Sequence, residues 1–252
     1  HARGFSVYAS LEARAPESRL ATTHGGLVAD ARAHARTRHL DGRCDPEWRS
    51  GIKHDCAKVM ELEGGVNGFG ERVEIEDEIV FPLLKSSDVA NGRAARRAVI
   101  VPQRTLADDA PLPPRARAYL TKHRALFDAR KSSVYDGRPP FAVFGIGVYA
   151  FAPWKVAVSG LYKRLAFTVV GPVRGRPVMF DDTCYFLPFQ DERSARRAAQ
   201  ALSSPLAREW FEARVFWEDK RPIRKSILQR LDLKRLQEPG SRSDPGARSL
   251  EP

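Results

Sequence analysis

Between Phe141 and Phe189 the chain cannot hold one regular conformation for long. Its apolar runs, Phe141–Phe144, Lys155–Leu161, Ala166–Val170 and Pro177–Phe189, are parted by Gly145, Gly147, Pro153, Gly171-Pro172 and Gly175. Proline removes a backbone donor and glycine weakens helix and strand interiors alike, so the stretch predicts short strands joined by turns. Upstream, Lys58–Leu62 and Val73–Ile79 alternate polar and apolar residues, and Ala98–Val101 is a β-type run stopped by Pro102. The spacing predicts helices over Tyr119–Arg130, Glu192–Leu202 and Leu206–Val215. A further helix is expected from Pro222, with Ile223, Ile227, Leu228 and Leu231 on one face. Strands followed by helices, without regular βαβ alternation, imply an α+β fold: a mixed, β-rich domain with C-terminal helices.

The ends differ in character. Residues 1–46 are rich in Ala and Arg, and Glu17–His39 is helix-permissive apart from Gly25-Gly26, so this part is expected to be a helical connector. Residues 237–252 are mostly Pro, Gly, Ser and Arg with little to bury, and predict a disordered, flexible tail. Residues 47–236 are left as the ordered domain. Position 1 is His and no signal-peptide pattern follows, so the sequence is expected to start inside a longer protein. No apolar run approaches the roughly 20 residues of a membrane-spanning helix. Three scattered cysteines, Cys44, Cys56 and Cys184, argue against a disulfide framework.

Charge is concentrated in one window. Lys plus Arg number 42 against 31 Asp plus Glu, a net +11. From Leu120 to Arg176 ten residues are basic and two, Asp128 and Asp136, are acidic, so this window alone holds +8. It also holds nine of the 23 aromatic residues. Cations neutralise phosphates, and rings or Arg forks reach bases, so the pattern suits double-stranded DNA; it equally suits a solvated basic face over an aromatic core. Arg130, Lys131, Ser132, Tyr135, Arg138, Trp154, Lys155 and Lys163 are the candidate contacts on one DNA-facing surface, with a core position the competing reading for Trp154. Lys85, Ser86 and Ser87 follow Pro82 at a strand end and are candidates for phosphate positioning. The alternative there is a turn in which Ser87 and Asp88 cap local backbone donors.

Catalytic patterns are imitated rather than present. Arg138-Pro139-Pro140-Phe141 resembles an Asx-Pro-Pro-aromatic motif, but Arg only donates hydrogen bonds and cannot accept one from an exocyclic amine. Phe144-Gly145-Ile146-Gly147 lies too close to it to be a separate donor-binding loop, and no acidic residue follows about 20 positions on. Glu218-Asp219-Lys220, with Asp181 or Asp182, could make a metal-dependent nuclease centred on Glu218 and Lys220, although a strand end before a Pro-initiated helix explains it as well. His39, Cys44, His54 and Cys56 could hold zinc, but without a Cys-x-x-Cys knuckle local hydrogen bonding and buried thiols are favoured. No metal or catalytic residue is assigned.

Several stretches, in order, resemble the target-recognition (specificity) domain of adenine-N6 DNA methyltransferases from bacterial type II restriction–modification systems. Trp48-Arg49-Ser50-Gly51-Ile52-Lys53-His54-Asp55-Cys56 with Lys58–Leu62 resembles the glycine-containing start of that domain. Phe81-Pro82-Leu83-Leu84-Lys85-Ser86-Ser87-Asp88-Val89, Arg130–Tyr135, Phe141–Lys163 with Ala152-Pro153-Trp154-Lys155-Val156, Asp181–Leu187 and Leu202-Ser203-Ser204 continue the likeness. The resemblance spans about 48–236. It implies a cytoplasmic protein whose S-adenosylmethionine-binding catalytic domain, with its Asn-Pro-Pro-Tyr motif, precedes residue 1. This chain would then need no cofactor of its own; it would select the DNA sequence and help extrude the target adenine, partnered by its own methyltransferase domain. A non-specific basic DNA-binding module is the other reading.

Overall fold

The structure, a computed structural model, describes residues 3–8, 10–23, 26–104 and 111–238. Its architecture is α+β, as the patterning implies. Packing divides the chain into two units: His1–Trp48 with Leu161–Phe167 and Arg197–Pro252, and Arg49–Gly160 with Thr168–Arg196. Described residues before Arg49 and after Arg196 therefore share a unit, where patterning suggested a connector and one body over 47–236. The expected tail lies outside the described residues from position 239 onward, while Gln237 still closes a helix.

The first unit opens with β1 (Arg3–Val7), β2 (Ser18–Thr23) and β3 (Gly26–Val28), an antiparallel meander. Only then does α1 (Ala31–Thr37) begin, where Asp30 Oδ1 accepts hydrogen bonds from the Arg32 and Ala33 N–H groups. The helical connector expected over 1–46 is thus corrected to strands followed by a short helix. Composition permitted helix, but the β-branched pair Thr22-Thr23 and the glycines after it favour a hairpin. Buried charge fastens this segment. Arg214, 3% exposed, donates to Asp41 Oδ1 at 2.7 Å, to Thr37 Oγ1 at 3.1 Å and to the Trp210 carbonyl at 2.9 Å. The Trp210 indole N–H donates to the same Asp41 oxygen at 2.9 Å. Removing Asp41 would leave a buried guanidinium unpaired, which is far costlier than never burying it.

The second unit begins at β4 (Arg49–Ser50) and continues through α2 (Ala57–Met60), β5 (Glu61–Glu63), β6 (Val80–Leu84), α3 (Ser86–Ala90) and β7 (Arg97–Ile100). Next come α4 (Pro114–Lys122), α5 (Arg124–Asp128), β8 (Trp154–Ser159), β9 (Thr168–Val170), β10 (Met179–Phe180) and β11 (Cys184–Phe189). They form two sheets, β10-β6-β7-β5 and β4-β11-β8-β9, in which β10 and β6 run parallel and the other pairs antiparallel. Val73–Ile79 keeps its alternation, with Ile75 and Ile79 buried and Glu74 and Glu78 exposed, yet it forms no named strand before Val80. Glu76 instead accepts hydrogen bonds from the Arg115 and Ala116 N–H groups at the start of α4. Beyond β11, α6 (Glu192–Leu202) buries Ala195, Ala198, Ala199 and Leu202, and α7 (Pro205–Glu212), α8 (Lys225–Leu228) and α9 (Leu233–Gln237) complete the helices.

One short segment joins the two sheets of the second unit. Arg49 and Ser50 pair with Phe186 and Tyr185 of β11. The Gly51 N–H then donates to the Cys184 carbonyl at 3.0 Å, and the Ile52 N–H to the Phe180 carbonyl at 2.8 Å. Lys53 and Phe144 exchange both backbone hydrogen bonds, at 2.9 and 2.8 Å. Gly51 lies so close to the β10–β11 turn that a Cβ there would stand 2.0 Å from the Asp181 carbonyl oxygen. Both parties are backbone, so neither can swing aside. Gly51→Ala is expected to destabilise the protein by more than about 2 kcal/mol, read as a lower urea midpoint. An unchanged midpoint would show that the two backbones can separate freely.

Candidate nucleic-acid interface

The basic window sorts into cations held inside and cations left outside. Arg130, after α5, is half-buried and spends its guanidinium on carbonyl oxygens: Phe127 at 3.1 Å, His54 at 3.3 Å, Ala142 at 2.8 Å and Pro140 at 2.8 Å. It also lies 3.6 Å over the Tyr135 ring, and burial raises the Tyr135 phenol well above its usual range. Arg130 and Tyr135, expected to face DNA, are therefore a clamp that shapes the 129–142 loop. With few acids nearby, main-chain carbonyls supply the compensating dipoles. On that loop Ser132 is half-buried, while Lys131 and Arg138 are exposed with no side-chain partner among the described residues.

Lys155 was expected on the same surface but is 1% exposed in the all-buried run of β8. Its Nζ donates to the Ala152 carbonyl at 2.7 Å and sits 5.7 Å from the Phe186 ring centre. A strand covered on both faces has no outward position to offer. Trp154, one residue earlier, is half-buried, and its ring lies against Gly171, where a Cβ would stand 2.6 Å from it. Lys163 belongs to the first unit, exposed and 3.2 Å from Glu218.

The Lys85-Ser86-Ser87 group is also largely internal. Lys85 pairs with Glu61 at 2.6 Å, and His54 Nε2 lies 3.5 Å from the same carboxylate. Burial pushes the Glu61 carboxyl up, but the His54 and Lys85 hydrogen bonds outweigh it and hold it below the usual range. Ser86 is 5% exposed and its hydroxyl meets that of Ser159, so its expected phosphate contact is corrected to a buried hydroxyl pair. Asp88 accepts the Lys85 N–H at 3.0 Å, which makes the local cap, while Ser87 is half-buried and its carbonyl accepts from the Asn91 amide at 2.7 Å. Among these three only Ser87 lacks a buried or ionic partner for its side chain among the described residues.

The imitation motifs have structural roles. Gly145, at φ +77°, is packed so that a Cβ would stand 2.7 Å from the Gly51 carbonyl, and one on Gly147 would meet the Tyr149 ring at 2.6 Å. The Gly145 and Gly147 positions of the 144–147 loop are thus packed against the chain's own atoms. Cys44, Cys56 and Cys184 are buried, and the Cys56 N–H donates to His54 Nδ1 at 3.2 Å. Among the described residues no three His, Cys, Asp or Glu side chains converge as metal ligands. Of the residues in the nuclease reading, Asp181 accepts from the Thr183 hydroxyl at 2.6 Å, and exposed Glu218 lies 3.2 Å from Lys163. Sequence patterning gave no sign of Arg49 stacked 4.5 Å over Tyr149, nor of the exposed Phe144, whose backbone pairs with Lys53.

No family model matches the chain. It is 44% identical over 221 residues to the type II methyltransferase M.NspV of Nostoc sp.. A type II methyltransferase is a homologue of this chain. The match takes in 83% of the chain but 46% of M.NspV, so the chain spans just under half of that relative. Among solved structures, the type IIL restriction-modification enzyme MmeI in complex with DNA aligns with TM-score 0.48 and 13% identity over 75% of this chain and 26% of that one.

The buried ammonium makes a testable mark on stability. Burial lowers Lys155 to about 7 from an ordinary 10.5. Between those values the unfolded chain holds a proton that the folded chain lacks, so this residue adds stability as pH rises through that window and exerts its full cost below it. Lys155→Met should therefore raise stability at pH 6 by on the order of a few kcal/mol, with the gain shrinking toward pH 10. Urea midpoints at both pH values measure this. A pH-independent difference would contradict the assignment.

Proposed function

We propose that this chain is the DNA-sequence-recognition part of a site-specific adenine-N6 DNA methyltransferase of a restriction–modification system. The observation that carries the reading is the 44% identity to M.NspV over a length that is under half of that protein. The chemistry agrees with a recognition part: a strongly basic chain, and cations left free on a loop braced by four carbonyl hydrogen bonds. Methyl transfer from S-adenosylmethionine would belong to a separate catalytic domain of the same protein, the partner of this one.

Lys131 and Arg138 are the residues we assign to DNA, with Ser87, Ser132, Trp154 and Lys163 as lesser candidates. Arg130 fixes the path of the 129–142 loop through four carbonyls, so the exposed cations are held in place before DNA arrives. Lys131 suits phosphates, as a flexible point charge. Arg138 precedes Pro139-Pro140, which keep its backbone out of a ladder and its fork free for a guanine edge.

Selection from a random duplex pool, with sequencing of the bound fraction, tests this. The expected result is an enriched short site. Lys131→Ala should weaken binding to all sequences and lower the salt slope by about one. Arg138→Ala should cost about 1–3 kcal/mol and relax one base pair of the site. Binding without any enriched sequence would make the chain a non-specific module, and magnesium-dependent cleavage would favour a nuclease.

A further inference from the structure

The β10-β6-β7-β5 sheet carries a concavity of about 590 Å³ with a basic rim, lined by no residue of the 129–142 loop. Val80, Pro82 and Ala98, half-buried and apolar, form its floor. Four arginines line it, Arg96, Arg97, Arg174 and Arg176, against a single acid, Asp77. Two of the four are committed to the fold. Arg176 donates to the carbonyls of Asp77 and Val80, and Arg97 sits 3.9 Å from Glu63 and 4.0 Å from Asp88. Arg96 and Arg174 are exposed and have no side-chain partner among the described residues.

Two tight turns border the groove, and they differ at one central position. Glu63 and Val66 exchange both backbone hydrogen bonds around Gly64-Gly65, with φ +60° and +80°; Val173 and Arg176 do the same around Arg174-Gly175, with φ +50° and +74°. Both are two-residue turns with positive φ at each central position, a geometry that selects Gly, Asn or Asp. The first turn obeys that preference. The second places an arginine in the left-handed region, which side chains with a Cβ avoid. Its local geometry gives no reason for arginine there, whereas the groove does: the turn delivers an unpaired guanidinium to the rim.

We propose that this groove is an additional DNA contact that takes the phosphodiester backbone through Arg96 and Arg174. The inference rests on the recognition reading above and adds a surface to it. Guanidinium forks match phosphate oxygens, and cations without carboxylate partners surrender no ion pair when a phosphate arrives. The contact carries no base information, so it would raise affinity for every sequence alike.

The test is fluorescence anisotropy of the protein on a random-sequence duplex of about 25 base pairs across a salt series, for wild type, Arg96→Gln, Arg174→Asn, the double variant and Lys131→Ala. Each single groove variant should lower the slope of log affinity against log salt by about one, and the double by about two. Arg174→Asn should melt at or above the wild-type temperature, since Asn tolerates positive φ, so lost binding cannot be blamed on lost folding. An unchanged slope in the double variant, with a lowered slope in Lys131→Ala, would overturn the groove while leaving the recognition reading intact. Failure of the wild type to bind any duplex would overturn both.

Discussion

The close approach of Gly51 to the β10–β11 turn is the contact on which the second unit depends. Over five residues, Arg49 to Lys53, the chain pairs with β11, bonds to the Cys184 and Phe180 carbonyls and closes on Phe144. A side chain at Gly51 would drive that segment off the Asp181 carbonyl and part β4 from the turn that links the sheets. Two further stretches of chain are anchored on this segment and the residue after it. Gly145 rests on the Gly51 carbonyl and Tyr149 under Arg49, while the His54 carbonyl receives Arg130. Loop positions far apart in sequence are thereby referred to one short piece of backbone.

Between Leu120 and Arg176 the sequence is basic with only two acids, and there this fold settles several cations without carboxylates. Arg130 and Arg176 turn to main-chain carbonyls, and Lys155 takes one carbonyl and loses much of its hold on its proton. These groups stabilise loops from within. Among the cations that remain outside, Lys131, Arg138, Arg96 and Arg174 have no compensating partner among the described residues. The division of labour between cations is therefore a matter of position rather than residue type, and the outward set is the one available to a polyanion.

Much of this was legible in the sequence. Helix α6 was read to the residue because Ala195, Ala198, Ala199 and Leu202 repeat at helical spacing with charge between them. The α+β order and the strands at β7, β8 and β11 came from Gly and Pro punctuation. Val73–Ile79 misled, because alternation records which side chains are buried and not whether a neighbouring strand exists to pair with. Lys155 misled for the opposite reason: lysine in a run such as Lys-Val-Ala-Val reads as surface, yet the run itself marks a strand buried on both faces. Arg130, Ser86 and the bordering turns of the groove depend on partners 10 to 100 residues away, roughly the span that local pattern cannot see.

Lysine-reactivity footprinting by mass spectrometry, with and without duplex DNA, tests the central claim most directly. Lys131 should be acylated readily in the free protein and protected when duplex is added, and Lys155 should stay unmodified in both. Equal labelling of Lys131 with and without DNA, or ready labelling of Lys155 in the folded protein, would contradict the separation of internal from DNA-facing cations.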